Sequence, residues 1–219
     1  MHIPDGLMAP EILIIGWVIA IAFIALSIYK VNKKIDEKTV PMMAILAAGI
    51  FVAQMLNFPI FGGTTGHLIG AALATVLVGP YAAMIIITVI LIIQCFVFGD
   101  GGLTALGLNI TNMAVVGTLV SWSIYKIFPS KLEKAGVIAA AWFSVFFASF
   151  ACAIELATSF AISVGAYGIE AMISLPSMLA YHAVIGIGEG IITGTIFMYL
   201  AKVAPETIMT RKPAEEAMS

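Results

Sequence analysis

A chain of 219 residues that is 62% hydrophobic and only 10% charged, with a net charge of −2, carries too little polar surface for a water-soluble domain. This composition excludes a soluble fold and points to an all-α, polytopic protein embedded in a lipid bilayer, a single integral domain over residues 1–219 with no nucleic-acid partner. The net charge itself is uninformative, because the placement of the charges carries the information.

The chain opens Met1-His2-Ile3-Pro4-Asp5-Gly6. The α-amine of Met1, the main-chain nitrogen of His2 and the imidazole Nδ1 of His2 close a five-membered and then a six-membered ring around one cation. Three nitrogens in one plane suit Ni(II) or Cu(II) better than Mg or Ca, which want oxygen, or tetrahedral structural Zn. Against this stands the simpler reading of His2 as an unconstrained terminal residue. The leader carries Asp5 and Glu11 but no Lys or Arg, so it lacks the basic start of a signal peptide and is expected to stay as a helix. Residues 1–10 are then an external metal-binding segment.

Apolar stretches follow at Glu11 to Tyr29, Pro41 to Asn57, His67 to Gly79, Tyr81 to Phe98, Leu103 to Phe128, Gly136 to Val164 and Pro176 to Ala201. These predict seven spans, of which the third is too short to cross comfortably and the sixth must tilt or protrude. Lys30, Lys33, Lys34 and Lys38 follow the first stretch; Lys126, Lys131 and Lys134 flank the fifth-to-sixth connection; Lys202, Arg211 and Lys212 follow the seventh. All fall on one side. That side is cytoplasmic by the positive-inside rule, which places the N-terminus outside and a 202–219 tail inside. Cys95 and Cys152 lie in apolar stretches without Cys-x-x-Cys spacing and read as packing residues.

In the second stretch, Ala44 and Ala48 have small-xxx-small spacing, which lets helix backbones approach closely and is read first as internal packing. The segment from Phe58 to His67 is uncharged and glycine-rich. Such backbone at membrane depth is tolerated where protein buries it or where it lines a cavity, and beside a truncated helix it points to a binding site. It places His67 at the start of the short helix, facing outward like His2, either as a ligand or as a loop residue bonded to a carbonyl. As a ligand it completes a square of four nitrogens: the Met1 amine, the His2 main chain, the His2 imidazole and the His67 imidazole.

Asp100 and Asn109 flank glycine-rich backbone on the outer side and are read as anchors of the N-terminal segment, since an all-nitrogen square leaves no vacancy for them. Glu155 and Glu189 are ionisable groups within hydrocarbon, where such groups face the bundle interior or water. Glu189 lies seven residues after His182, which puts both on one helix face. It serves either a structural interhelical hydrogen bond, the favoured reading, or a network that orients the metal-binding loops.

At these residues the sequence resembles the CbiM/NikM substrate-capture components of energy-coupling-factor (ECF) transporters for nickel and cobalt. The likeness rests on Met1-His-Ile-Pro-Asp-Gly6, Gly62-Gly-Thr-Thr-Gly-His67-Leu-Ile-Gly70, Phe98-Gly-Asp-Gly-Gly-Leu-Thr-Ala-Leu-Gly-Leu-Asn109 and His182-Ala-Val-Ile-Gly-Ile-Gly-Glu189, in that order. It implies a six-helix S-component bundle with one extra N-terminal helix, metal ligands at Met1, His2 and His67, and docking of a membrane coupling subunit through small residues such as Ala44 and Ala48. The Pro4-Asp5-Gly6 opening is similar to the nickel members, with Asp5 beside the ligands; a cobalt-specific member remains the alternative. The resemblance further implies no enzymatic activity, a pair of ATPase subunits, a small accessory membrane protein and a prokaryotic plasma membrane. The chain has no Gly-x-x-x-x-Gly-Lys-Ser/Thr loop, so ATP must act through partners. A stand-alone proton-coupled permease, relaying protons through Glu155, Glu189 and His182, is the rival reading. From reference pKa values of about 7.7 to 8.0 for the amine and about 6.5 for histidine, metal binding is expected to release several protons and to weaken below about pH 6.5.

Overall fold

In hydrocarbon every backbone N–H and C=O needs a partner inside the protein, and a helix supplies those partners locally. The computed structural model describes residues 1–33, 39–61 and 64–210, and most of them are helical. In chain order the elements are α1 (Pro10–Asn32), α2 (Thr39–Gln54), a hairpin of β1 (Phe58–Ile60) and β2 (Thr64–Gly66), α3 (Ala71–Val78) and α4 (Pro80–Ile93). The last of these runs on as a π-helical turn over Gln94–Phe98. Then come α5 (Leu106–Ile110), a π-helical turn at Thr111–Val116, α6 (Gly117–Ile127), α7 (Glu133–Ile162) and α8 (Ala171–Val203).

Each apolar stretch of the sequence holds one helical segment. Pro10–Asn32, Pro80–Phe98, Ser130–Ile162 and Ala171–Val203 are long and apolar enough to cross a membrane. α2 is a shorter apolar helix, and α3, with 8 residues, is only about 12 Å long. From Ala71 to Leu77 α3 is wholly buried, packed against α4, α6 and α7. α7 and α8 pack along one another. The crossing of α1 over α5 is close because Gly16 and Gly107 face it: a Cβ at Gly16 would stand 2.9 Å from the Leu108 main-chain nitrogen, and one at Gly107 2.7 Å from the Trp17 Cα.

Three expectations need correction. His67 does not start the short helix, because Gly70 takes a left-handed conformation (φ 74°) and α3 begins only after it, leaving His67 in a loop. The segment expected as irregular backbone is an antiparallel hairpin, with Phe58 opposite Gly66, Pro59 opposite Thr65 and Ile60 opposite Thr64. Ala44 and Ala48 are not internal packing residues: both are exposed, on a face of α2 with Ile45 and Val52, while the helix packs mainly on α4.

The two ends of the bundle differ in chemistry. Lys30, Lys126, Glu206, Thr207, Met209 and Thr210 line one cavity of about 830 Å³, so the end of α1, the end of α6 and the C-terminal segment share one face. That C-terminal segment folds under α3. Ile208 is buried, the Met209 N–H donates to the Leu77 carbonyl (2.8 Å) and the Thr210 hydroxyl to the Val76 carbonyl. Lys34, Lys38, Arg211, Lys212 and the rest of the tail lie outside the described residues. The N-terminal segment occupies the opposite end, where the Gly168 N–H, between α7 and α8, donates to the Leu7 carbonyl.

Candidate metal centre

The first nine residues form no regular structure, so their backbone groups must be satisfied by the rest of the bundle. They are. The Ile3 N–H donates to Asn109 Oδ1 (2.9 Å), and the Ile3 carbonyl accepts from the Gly102 N–H (2.8 Å) and from Asn109 Nδ2 (3.3 Å). The Ala9 N–H donates to Ser159 Oγ (2.7 Å). Asp5 accepts from the Leu103 N–H (3.0 Å), the Thr104 N–H (2.7 Å) and the Thr104 hydroxyl (2.5 Å). The glycines after Asp100 make room for this backbone: Cβ atoms would bring Gly101 to 3.0 Å from His2 Nδ1 and Gly102 to 2.7 Å from the Pro4 carbonyl carbon. The N-terminal segment is therefore threaded into the bundle, with Met1, His2 and Ile3 buried.

The threading delivers the terminus to the hairpin and to His67. The Met1 amine donates to the Thr65 carbonyl and reaches the Thr65 hydroxyl at 3.4 Å, while the His2 main-chain N–H donates to that hydroxyl at 3.2 Å. The His2 and His67 rings have centres 4.7 Å apart and planes 23° apart. Two imidazoles on adjacent corners of a square, each about 2 Å from an ion, would place their ring centres roughly 4.5 Å apart. His67 Nδ1 lies 2.7 Å from the Leu68 carbonyl, which fixes the proton on Nδ1 and leaves Nε2 a buried lone pair with no partner among the described residues. The loop reading of His67, with a ring nitrogen bonded to a carbonyl, is what Nδ1 shows. His2 Nε2 stands 3.5 Å from Asp100 Oδ2, and Asp100 is itself held by Asn57 Nδ2 at 2.7 Å.

Glu189 does not touch His182. Its carboxylate accepts from the Ile69 N–H (2.8 Å) and the Gly70 N–H (2.6 Å), and Gln54 Nε2 donates to the Ile69 carbonyl (2.6 Å). The carboxylate thus ties α8 to the main chain of the loop just after His67 rather than to another helix. His182 is fully buried, with Nδ1 at 2.8 Å from the Met178 carbonyl and Nε2 unpartnered among the described residues. Glu155 bonds Asn112 Nδ2 at 2.6 Å, on the π-helical turn after α5. Glu155, Glu189 and His182 thus each have a different partner, and among the described residues no hydrogen bond joins them into a relay. Cys152 is buried and Cys95 half-buried, both free thiols.

Thr65 and Gln54 were not legible in the sequence. Their contributions are a carbonyl, a hydroxyl and an amide, which leave no spacing signature; only the match of Thr65 to Pro59 across a hairpin would have exposed the first. Among the described residues no three His, Cys, Asp or Glu side chains gather as an ion site.

Burial sets the charge of these groups. It pushes the Met1 amine down to about 5 and the His2 imidazole to about 3, the latter also opposed by the neighbouring amine. Asp100 is raised by burial, whereas Asp5 is lowered, chiefly by the Thr104 hydroxyl. At neutral pH the centre therefore presents uncharged nitrogen donors with free electron pairs, beside one carboxylate.

Comparison with known proteins bears on this arrangement. A family profile described as CbiM, "Cobalt uptake substrate-specific transmembrane region", matches residues 2–207. A protein of Archaeoglobus fulgidus provisionally named fused nickel transport protein NikMN is 39% identical over 208 residues, 95% of this chain and 68% of that protein. A crystal structure described as that of a transition metal transporter superposes with a TM-score of 0.89 at 37% identity, covering 96% of each chain. The S component of a bacterial ECF transporter shares the fold at 21% identity, with a TM-score of 0.57 over 75% of this chain and 95% of that one.

Proposed function

We propose that this chain, which belongs to the CbiM/NikM family of nickel and cobalt transport membrane components, captures Ni(II) in a square of four nitrogens. The donors are the Met1 amine, the His2 main-chain nitrogen, His2 Nδ1 and His67 Nε2. One observation carries this reading: a buried His67 Nε2 without a partner among the described residues lies beside the buried N-terminal residues Met1 and His2. A bare buried lone pair costs stability unless something fills it, and a transition-metal ion is what neutral nitrogens in a plane attract. Planarity and a main-chain donor favour Ni(II) as the transported substrate, with Co(II) second.

The rest of the reading is modular. The fold is that of an S component, here proposed to cross a prokaryotic plasma membrane seven times, with Met1 outside and the lysine-rich end inside. No nucleotide-binding loop exists in the sequence, so release is driven by partners: a membrane coupling subunit seated on the exposed Ala44 and Ala48 face, two ATPase subunits and a small accessory membrane protein. The chain by itself catalyses nothing.

The test combines equilibrium nickel binding with uptake. Purified protein should bind one Ni(II), and both His67→Ala and a variant with one residue placed before Met1 should lose it, because the extension moves the amine out of the chelate. Ala48→Trp should abolish uptake in cells carrying the partner subunits while purified protein binds nickel normally. Near-normal binding by both site variants would put the metal elsewhere.

A further inference from the structure

α2 keeps little of itself inside the protein. Of its 16 residues only Ile50 and Gln54 are buried, and both bear on the loop that carries His67. Ile50 fills the space where Gly70 has no side chain: a Cβ there would lie 2.5 Å from Ile50 Cγ2. Gln54 Nε2 donates to the Ile69 carbonyl at 2.6 Å, while Gln54 Oε1 has no partner among the described residues. A buried amide with one side unsatisfied is costly, and an apolar side chain would avoid that cost. The bond to Ile69 is what the amide provides.

Ile69 is thereby held by two helices at once. Its N–H donates to Glu189 on α8 at 2.8 Å, and its carbonyl accepts from Gln54 on α2. Between these helices lies a cavity of about 280 Å³, lined by Gly49 and Ala53 of α2, by Ile192 and Ile196 of α8, and by Gln54 and Glu189 themselves. α2 has room to move on this side, and an added Cβ at Gly49 would meet nothing within 4 Å. Displacement passes between sites through rigid elements and the hydrogen bonds that join them. Any shift of α2 relative to α8 therefore pulls on the residue that both hold, just after His67 and Leu68.

We propose that Gln54 is a positioning residue for ion release: it makes the placement of His67 depend on the placement of α2, and movement of α2 into the gap beside α8 draws Ile69 and His67 away from the bound ion. The inference rests on the nickel site proposed above and deepens it by naming the element that opens it. The outer face of α2, with Ala44 and Ala48, is the one proposed for the coupling subunit. A load applied there reaches the ion through one hydrogen bond.

The experiment compares wild type, Gln54→Met, Gly49→Leu and the double variant as full-length purified proteins loaded with Ni(II), with thermal melts to establish folding. Gln54→Met keeps the length of the side chain without its amide, and Gly49→Leu places a side chain in the cavity. Release is timed by stopped-flow chelation, and hydrogen exchange follows the Ile69 and Gly70 amides. Gln54→Met should release nickel about tenfold faster and lose protection at these amides, the effect of one buried hydrogen bond. Gly49→Leu should slow release several-fold when Gln54 is present and leave it unchanged in the double variant, a dependence that two independent packing effects would not produce. Should Gln54→Met not accumulate, Gln54→Leu provides a second side chain without the amide. If Gly49→Leu slows release equally with and without Gln54, or Gln54→Met releases nickel at the wild-type rate, the role of Gln54 is overturned and the site stands. If His67→Ala binds nickel as wild type does, the site itself is wrong and the inference falls with it.

Discussion

The Met1 amine sits where water cannot solvate a charge, and the lowering of its pKa to about 5 changes what nickel binding does to protons. A free terminus and free imidazoles would shed several protons on binding. Here the amine and both imidazoles are already neutral at pH 7, so only the main-chain proton of His2 remains to leave. Calorimetry in buffers of different ionisation enthalpy should count about one proton per nickel at pH 7, and a count of zero would exclude main-chain ligation. The sign for acid follows. A docked segment whose amine pKa is lowered holds fewer protons than a free one, so docking is fully favoured above about pH 8 and weakens as pH falls towards 5. Below about 5 the docked amine itself takes up a proton and ceases to be a donor, so the steep loss of nickel affinity is expected there rather than near 6.5. His2 and His67 were legible as isolated polar residues in an apolar chain. The depression of the amine was not, because it depends on how deeply the terminus is buried.

The N-terminal segment and the glycine loop that receives it act together as an element. Asn109 grips Ile3 from both sides, Asp5 ties the start of the Leu103 to Ala105 turn, and Gly102 leaves just enough room for the Pro4 to Asp5 backbone to pass. Gly102→Ala should push the segment off its track while leaving the helices in place. An overpacking cost of about 1 to 3 kcal/mol corresponds to a loss of metal affinity of roughly 5-fold to 150-fold. Nickel titration and hydrogen exchange at residues 1–9 would report it, and unchanged affinity with unchanged protection would show that the loop yields. The anchoring role of Asn109 was readable from its place beside glycine-rich backbone, and Asp100, read the same way, lies 3.5 Å from His2 Nε2. The helices were readable from apolar runs alone. The hairpin and the two π-helical turns were not, because their three to six residues are too short to leave a period in the sequence.

Across the whole molecule, Lys30 and Lys126 lie at one end and Met1, His2 and His67 at the other, with α3 between them. Its outer approach is held by Glu189 and Gln54 on the loop that carries His67; its inner carbonyls, at Val76 and Leu77, are held by Thr210 and Met209. α3, about 12 Å long and buried from Ala71 to Leu77, joins these two sets of ties. Were it to transmit strain between them, the residence time of an ion bound at His67 would depend on whether the C-terminal segment at the other end of the bundle keeps its grip. Thr210→Val, which removes one of the two inner ties, should shorten the residence time of nickel several-fold in stopped-flow chelation, with the coordination spectrum unchanged. An unaltered dissociation rate would mean that α3 passes nothing on. Without any contact to the ion, a threonine near the far end of the chain would act as its clock.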